Sequence, residues 1–224
     1  MNTLINPVFA ALIGRLFREA SAADGALRSE LAQRTPEQRT AFMSQAHTDY
    51  LGFYAQAKDM FLPVSPETGM LLYMLVRSSG ARTVVEYGTS FGLSTLHLAA
   101  ALRDNGGGRL IGSEFLADKL TRARENLTAA GLSDLVELRE GDALDTLSRD
   151  LPDVIDLVLL DGAKVLYPRV LALLEPRLRE GALIVADNAD DSPEYLARVR
   201  DPAQGYLSVP FGGDVELSLR LAGS

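Results

Sequence analysis

Three side chains with hard oxygen atoms follow two neighbouring predicted strands of this chain. Asp161 comes directly after the apolar run 154–160, and Asp187 and Asn188 come directly after the run 182–186. Because the carboxyl ends of parallel strands meet at the edge where such sheets bind ligands, we expect these side chains to lie close together. Carboxylate and amide oxygens suit Mg²⁺, which takes few protein carboxylates and keeps positions for water or substrate. Acidic residues after strands are common, so side chains that bind no metal are the alternative.

A second candidate site lies in the glycine-containing stretch 83–94. A β-branched run ends at Glu86, a Gly-x-x-x-Gly turn follows at Gly88 and Gly92, and a long apolar segment comes next. This order predicts a buried strand, a tight loop and a helix, and such a loop lets a ligand approach the backbone closely. A turn without a ligand is the alternative. A nicotinamide-cofactor fingerprint would need glycine where Ser90 stands, so a dinucleotide dehydrogenase is disfavoured.

Strands and helices alternate along the chain around these two sites. The alternation predicts an α/β fold with a doubly wound, mostly parallel, Rossmann-like sheet. The predicted strands are 83–86, 109–115, 135–138, 154–160 and 182–186, and the predicted helices between them are 93–102, 118–130 and 167–178. The last segment, 206–221, is predicted to form a closing β-hairpin.

The beginning of the chain is predicted to be helical. A stripe of paired apolar residues, 8–17, indicates one helix, which Asp24-Gly25 is expected to end. A strong start signal at Thr35 predicts a second helix over 35–57. The stripe is too apolar for a solvated surface, so we expect it to pack against the sheet domain or a second copy. These helices should form a lid or a dimer contact, and we expect a homodimer.

The composition excludes several classes of protein. The chain has 224 residues, a net charge of −8 and no cysteine, which argues against a nucleic-acid partner, disulfides and thiolate zinc sites. No apolar run approaches ~18 residues and the N-terminus lacks a basic segment, so we expect no membrane association, no secretion and a cytoplasmic protein. His47 and His97 lie too far apart to predict a His-rich metal site. We divide the chain into an N-terminal helical extension, 1–62, and a sheet domain, 63–224.

The glycine loop carries a pattern that a known family shares. Glu86-x-Gly88-Thr89-x-x-Gly92-x-Ser94 resembles the first motif of class I S-adenosylmethionine-dependent methyltransferases, and more narrowly that of the catechol and caffeoyl-coenzyme A O-methyltransferase type. The resemblance implies S-adenosylmethionine as the cofactor, with its methionine end at the glycine loop and near 62–64. It implies this set of cofactor-binding residues: Val64, Glu86, Gly88, Thr89, Ser90, Ser94, Glu114, Phe115, Asp142, Ala143 and Asp161.

Two of these residues have a specific expected partner. Glu114 ends the predicted strand 109–115, where a carboxylate can accept hydrogen bonds from both ribose hydroxyls, although such a residue alone is usually a solvated strand end. Gly141-Asp142-Ala143 resembles the turn that lines the adenine pocket in this family. Asp142 is therefore expected to accept a hydrogen bond from the adenine amino group.

The resemblance extends to the residues around the predicted metal site. Asp-x-x-Lys-x-x-Tyr, which begins at Asp161, and the later Asp187-Asn188 resemble the metal and catalytic motifs of the family. They imply that Asp161, Asp187 and Asn188 hold a divalent metal, Mg²⁺ by preference, and that Lys164 is the general base. The chain departs from the family in its short segment 189–205 and in having no tryptophan.

These features predict a magnesium-dependent O-methyltransferase that uses S-adenosylmethionine and acts on a small phenolic or catechol-like hydroxyl. One alternative is a metal-independent methyltransferase acting on oxygen or nitrogen, in which Asp161, Asp187 and Asn188 only hydrogen-bond the substrate. A second alternative is a subunit that binds the cofactor without turnover. The sequence does not identify the acceptor.

Overall fold

A seven-stranded sheet organises the protein. The structure is a computed structural model that describes residues 2–35, 37–38, 49–50, 52, 58 and 60–222. The strand order is β3-β2-β1-β4-β5-β7-β6, with β1–β5 parallel to one another and β7 antiparallel to both β5 and β6. The predicted doubly wound, mostly parallel sheet with a closing hairpin is confirmed. The strands are β1 (Thr83–Tyr87), β2 (Arg109–Glu114), β3 (Val136–Glu140), β4 (Ile155–Leu160), β5 (Leu178–Ala186), β6 (Tyr206–Phe211) and β7 (Val215–Arg220).

Helices cover both faces of this sheet. In chain order they are α1 (Pro7–Gln33), α2 (Pro66–Ser79), α3 (Leu93–Asp104), α4 (Ala117–Ala129), the short α5 (Ala143–Thr146), α6 (Tyr167–Leu174) and α7 (Pro193–Val199). Side chains of one sheet face form an apolar core with α1, α2 and α3, and those of the other face form a second core with α6 and α7. The central strands β1 and β4 are buried on both faces, which explains their nearly continuous apolar sequence. None of the helices in the described ranges is both long and apolar enough to cross a membrane.

The prediction that Asp24-Gly25 ends the first helix is wrong, because α1 continues from Pro7 to Gln33. Aspartate disfavours helices when its side chain competes for nearby backbone groups. Here the Asp24 carboxylate accepts hydrogen bonds from the backbone of Phe61 and Leu62, far along the chain. Gly25 costs about 1 kcal/mol relative to alanine, which is not enough to end the helix.

The apolar stripe of α1 is largely covered within the chain. Phe9, Leu12 and Leu16 are buried in the core that contains α3, whereas Val8 is 73% exposed. The stripe therefore does not require a second copy of the chain to cover it. The homodimer stays a prediction. The predicted second helix, 35–57, with its His47, lies for the most part outside the described residues.

One helix ends earlier than predicted, and the strand after it begins earlier. α6 ends at Leu174 instead of residue 178, since Pro176 lacks the backbone N–H that would continue it. β5 then begins at Leu178, four residues before the predicted start at 182, and pairs with β4 through a register shift near Ile155. The carboxyl ends of β4 and β5 still fall where the sequence predicted.

Candidate active site

The carboxyl ends of β1, β2, β3 and β4 surround one cleft. It holds about 700 Å³ of empty space, counting its opening to solvent. Seven of the residues that the family resemblance assigns to the cofactor line this cleft: Gly88, Ser90, Glu114, Phe115, Asp142, Ala143 and Asp161. Thr89 and Ser94 line a smaller adjoining pocket beside Leu62. Val64 is buried and lines neither pocket. The fold thus brings most of the predicted set to one cleft, and their contact with a cofactor stays a prediction.

Two glycines give the loop between β1 and α3 its shape. Gly88 and Gly92 have φ of 96° and 86°, and Ser90 between them has φ of 48°. A Cβ on Gly88 would lie 2.5 Å from the backbone oxygen of Asp161. Gly88 is therefore required by the close approach of two backbones, the β1 loop and the end of β4, in addition to any ligand.

Glu86 lies beneath this loop. Its carboxylate is fully buried and accepts hydrogen bonds from the hydroxyls of Thr89, Ser94 and Thr95, at 2.9, 2.7 and 2.6 Å. Burial raises the pKa of Glu86 in spite of these donors. The residue fixes the loop to the first turn of α3, and direct contact with a cofactor stays a prediction. The sequence analysis did not identify Thr95, although a polar residue in the first turn of an apolar helix was a signal.

Glu114 stands at the end of β2 and faces the cleft. One carboxylate oxygen accepts the backbone N–H of Ser90 at 2.8 Å, and the other accepts that of Leu116 at 2.9 Å. These two bonds fix the orientation of the carboxylate before any ligand arrives. Phe115, 40% exposed, lies next to it on the cleft wall. A fixed anionic acceptor beside an apolar wall suits a ribose with its attached base.

Asp142 stands at the far end of the cleft. It caps α5 by accepting the backbone N–H of Leu144 at 2.8 Å, and its other oxygen accepts the hydroxyl of Tyr50 at 2.8 Å. Burial, and then the hydrogen bond with Asp142, raise the pKa of Tyr50. Tyr50 also lines the cleft and was not predicted, since the N-terminal part of the chain carries no motif that points to it.

Two of the predicted metal and catalytic residues, Lys164 and Asp187, lie next to Asp161, which itself lines the cleft. Lys164 Nζ is 3.1 Å from Asp161 Oδ1. Burial raises the pKa of Asp161, and burial followed by the charge of Asp161 raises the pKa of Asp187 to about 7. Two carboxyl groups are therefore held together where their negative charges are poorly solvated.

Two further contacts hold these strand ends in place. The hydroxyl of buried Tyr167 lies 2.7 Å from the backbone oxygen of Leu160 and 2.8 Å from that of Asp187, so it joins the ends of β4 and β5. Asn188 has φ of 47°, a conformation that asparagine tolerates, and its side-chain nitrogen donates to Asp214 at 3.2 Å. Asp214, in the β6–β7 turn, was not predicted.

The side chains of Asp161, Asp187 and Asn188 are of the types that bind a divalent cation. Asp161 and Asp187 offer carboxylate oxygens, and the Asn188 amide directs its nitrogen to Asp214, which leaves its oxygen for another partner. Burial raises the pKa of both carboxyl groups because it disfavours their negative charge. A bound cation would offset that negative charge. In the part of the chain that the structure describes, no group of three or more His, Asp or Glu side chains is placed to hold a metal ion. A cation here would thus depend on two carboxylates and an amide.

Comparison with known proteins agrees with this geometry. A family model described as a methyltransferase domain matches residues 85–189. Catechol O-methyltransferase B of Danio rerio is 31% identical over 207 residues, which cover 87% of this chain and 77% of that protein. Catechol O-methyltransferase of Niastella koreensis is 34% identical over 137 residues, 60% of this chain and 61% of that protein. The match thus spans less than two thirds of the Niastella protein.

A solved structure shows the same architecture. The O-methyltransferase TomG from Streptomyces achromogenes, in complex with SAM, matches with a TM-score of 0.64 and 26% identity, covering 92% of this chain and 98% of that one. Fold, cleft and relatives define a methyltransferase of the Rossmann-like type. The chain belongs to the class I S-adenosylmethionine-dependent O-methyltransferases, and the resemblance drawn from the glycine loop is confirmed.

Proposed function

We propose that this protein transfers the methyl group of S-adenosylmethionine to one hydroxyl of a small phenolic or catechol-like acceptor, with Mg²⁺ bound beside the acceptor. The observation that carries the proposal is the position of Asp161. Asp161 lines the cofactor cleft. It also contacts Lys164 and lies beside Asp187. A methyl donor in the cleft would therefore lie next to the groups suited to a hydroxyl acceptor.

The cofactor would be held along the cleft. Glu114, already fixed by two backbone N–H groups, would accept hydrogen bonds from the ribose hydroxyls. Asp142 would accept the adenine amino group, where Tyr50 now donates. The glycine loop, with Gly88 against Asp161, would contact the methionine end. Each of these assignments rests on the position of the residue together with the family membership.

Asp161, Asp187 and Asn188 would hold the cation. Bound there, it would favour the anionic form of the acceptor oxygen and fix its direction. The pKa of Asp187, about 7 in its absence, means that the carboxyl is partly protonated at neutral pH and that a cation would displace the proton. The catechol O-methyltransferases among the relatives support an acceptor with two neighbouring hydroxyls.

Methyl transfer requires the protein to remove a proton from the acceptor and to align the acceptor with the methyl donor. An aromatic hydroxyl has a pKa of about 10, so its proton must be taken up. We propose that Lys164, whose Nζ lies 3.1 Å from Asp161 Oδ1, accepts it in the neutral amine form as the general base. The oxygen then forms a bond to the methyl carbon while the carbon–sulfur bond breaks, and its electron pair returns to sulfur to give S-adenosylhomocysteine. Holding donor and acceptor in line is worth several kcal/mol, on the order of 7–11 at most.

Two other functions remain as alternatives to be tested. In a metal-independent methyltransferase, Asp161, Asp187 and Asn188 would only hydrogen-bond the acceptor. In a non-catalytic subunit, the cleft would bind the cofactor without turnover.

The test is to incubate the protein with S-adenosylmethionine, Mg²⁺ and matched acceptors: a catechol, the corresponding monophenol and an aniline. Mass spectrometry then measures the methylated product. We expect the catechol to be methylated fastest. Preferential methylation of the aniline, or cofactor binding with no product, would favour the alternatives.

A further inference from the structure

A buried carboxylate on α1 lies outside the residues assigned so far. Asp24 is buried, with 1% of its surface exposed. Its Oδ1 accepts the backbone N–H of Phe61 and its Oδ2 accepts that of Leu62, both at 2.9 Å. A buried carboxylate is tolerated when charge-assisted hydrogen bonds satisfy it, and here both of its oxygens are used on one short loop.

The loop that Asp24 holds is part of the cofactor site. Leu62 lines both the cleft and the smaller pocket beside the glycine loop. Its φ of 44° is unfavourable for a leucine, and a strained backbone persists only where its surroundings hold it. Phe61 is stacked on Phe91 of the glycine loop, with ring centroids 4.1 Å apart.

Hydrogen bonds continue from this loop to the proposed ribose acceptor. The backbone oxygen of Phe61 accepts the hydroxyl of Ser90 at 2.6 Å. The backbone N–H of Ser90 donates to Glu114 at 2.8 Å. A continuous path thus runs from Asp24 on α1, through the Phe61 peptide and Ser90, to Glu114 on β2.

We propose that Asp24 is a positioning residue for the cofactor: by holding the backbone of Phe61 and Leu62, it fixes the loop over the methionine end and, through Ser90, the carboxylate of Glu114. The inference rests on the proposed placement of S-adenosylmethionine in the cleft. It gives α1 a part in cofactor binding, because a helix far from the cleft in sequence supplies the group that shapes one of its walls.

The first test is the affinity for S-adenosylhomocysteine, measured by calorimetry. Asp24→Asn keeps the size of the side chain but directs an amide nitrogen at one of the two N–H donors. The loop would then spend less time in its binding conformation, and the apparent affinity falls in proportion to that fraction. We expect a loss of about tenfold or more. Glu19→Gln, on the same helix and paired with Arg15 at the surface, is the matched control and should bind as the wild type does.

A double-variant cycle separates positioning from general loss of stability. Ser90→Ala breaks the same path on the other side of the Phe61 peptide. If Asp24 acts through that peptide, the Asp24→Asn and Ser90→Ala double variant should lose less affinity than the product of the two single losses. Losses that simply multiply, or unchanged affinity in Asp24→Asn, would overturn the inference.

Hydrogen exchange of the wild-type protein gives an answer even if the Asp24 variant does not fold. Binding of S-adenosylhomocysteine should slow exchange at the amides of Phe61 and Leu62, since ligand and loop stabilise one another. Unchanged exchange at both amides, in protein shown to bind the ligand, would refute the coupling while leaving the proposed function intact. A wild-type protein that binds no S-adenosylhomocysteine would instead overturn the proposed function and the inference with it.

Discussion

Replacement of Glu114 by glutamine tests the cofactor assignment most sharply. The carboxylate has two tasks in the structure: it accepts the N–H groups of Ser90 and Leu116, and it faces the cleft. Glutamine keeps the shape but has only one acceptor oxygen, so one of the two backbone donors loses its partner. That loss should cost about 1 kcal/mol of folding free energy.

The effect on the ligand should be larger than the effect on folding. A hydrogen bond to a charged acceptor contributes about 1.5–3 kcal/mol, which corresponds to a roughly 10- to 150-fold weaker affinity. Calorimetry with S-adenosylhomocysteine measures the affinity, and thermal unfolding measures the stability. The two quantities can thus be compared in the same variant.

The chain offers a matched control for this experiment. Glu140 is the residue of β3 that pairs with Glu114 in the parallel register, and it is exposed. Glu140→Gln changes the same charge at the same level of the sheet and should leave the affinity unchanged. If Glu114→Gln binds S-adenosylhomocysteine within about twofold of the wild type, the ribose assignment is refuted.

Three further predictions concern the other parts of the site. Gly88→Ala should abolish cofactor binding and lower the melting temperature, because the new Cβ would lie 2.5 Å from the Asp161 backbone oxygen; near-normal binding would contradict this reading of the loop. Asp187→Asn should abolish methyl transfer yet leave the affinity for S-adenosylhomocysteine nearly intact, since the cleft is lined by other residues; parallel loss of both would contradict the separation. In metal-free protein, the pKa of Asp187 is raised from 3.8 to about 7 on folding, so the folded state holds this proton more tightly and stability should fall as pH rises from about 4 to about 7. Chemical denaturation across this range should show the slope, and Asp187→Asn should flatten it; an unchanged slope in that variant would assign it to another group.

The strand ends were predictable because their signals are local. A β-branched run followed by Glu86, or an apolar run followed by Asp161, predicts a buried strand. It also predicts that the acidic residue lies at the carboxyl edge of the sheet, where ligands bind. The glycine spacing then specified the loop. Pro176 shows the limit: the apolar pattern continued past it, whereas the missing N–H ended the helix.

Two contacts that the sequence did not predict join residues far apart in the chain. Asp24 bonds to residues 61 and 62, and Tyr50 bonds to Asp142. Such pairs leave no periodic or spacing signal, because only the folded chain brings them together. Asp24 was interpreted as a helix-ending residue for the same reason: its partners lie outside the window in which a helix signal is read.

The rate of methyl transfer in metal-stripped protein, with and without added Mg²⁺, decides whether a metal held by Asp161, Asp187 and Asn188 is required for the reaction. The measurement uses S-adenosylmethionine and a catechol, follows formation of S-adenosylhomocysteine and methylated product, and includes Asp187→Asn as a variant that keeps the cofactor cleft. We expect EDTA to abolish turnover by the wild-type protein and added Mg²⁺ to restore it, whereas Mg²⁺ should not rescue the variant. Full turnover in EDTA would contradict the role of Asp161, Asp187 and Asn188 as metal ligands, and absence of product under every condition would contradict the proposed activity itself.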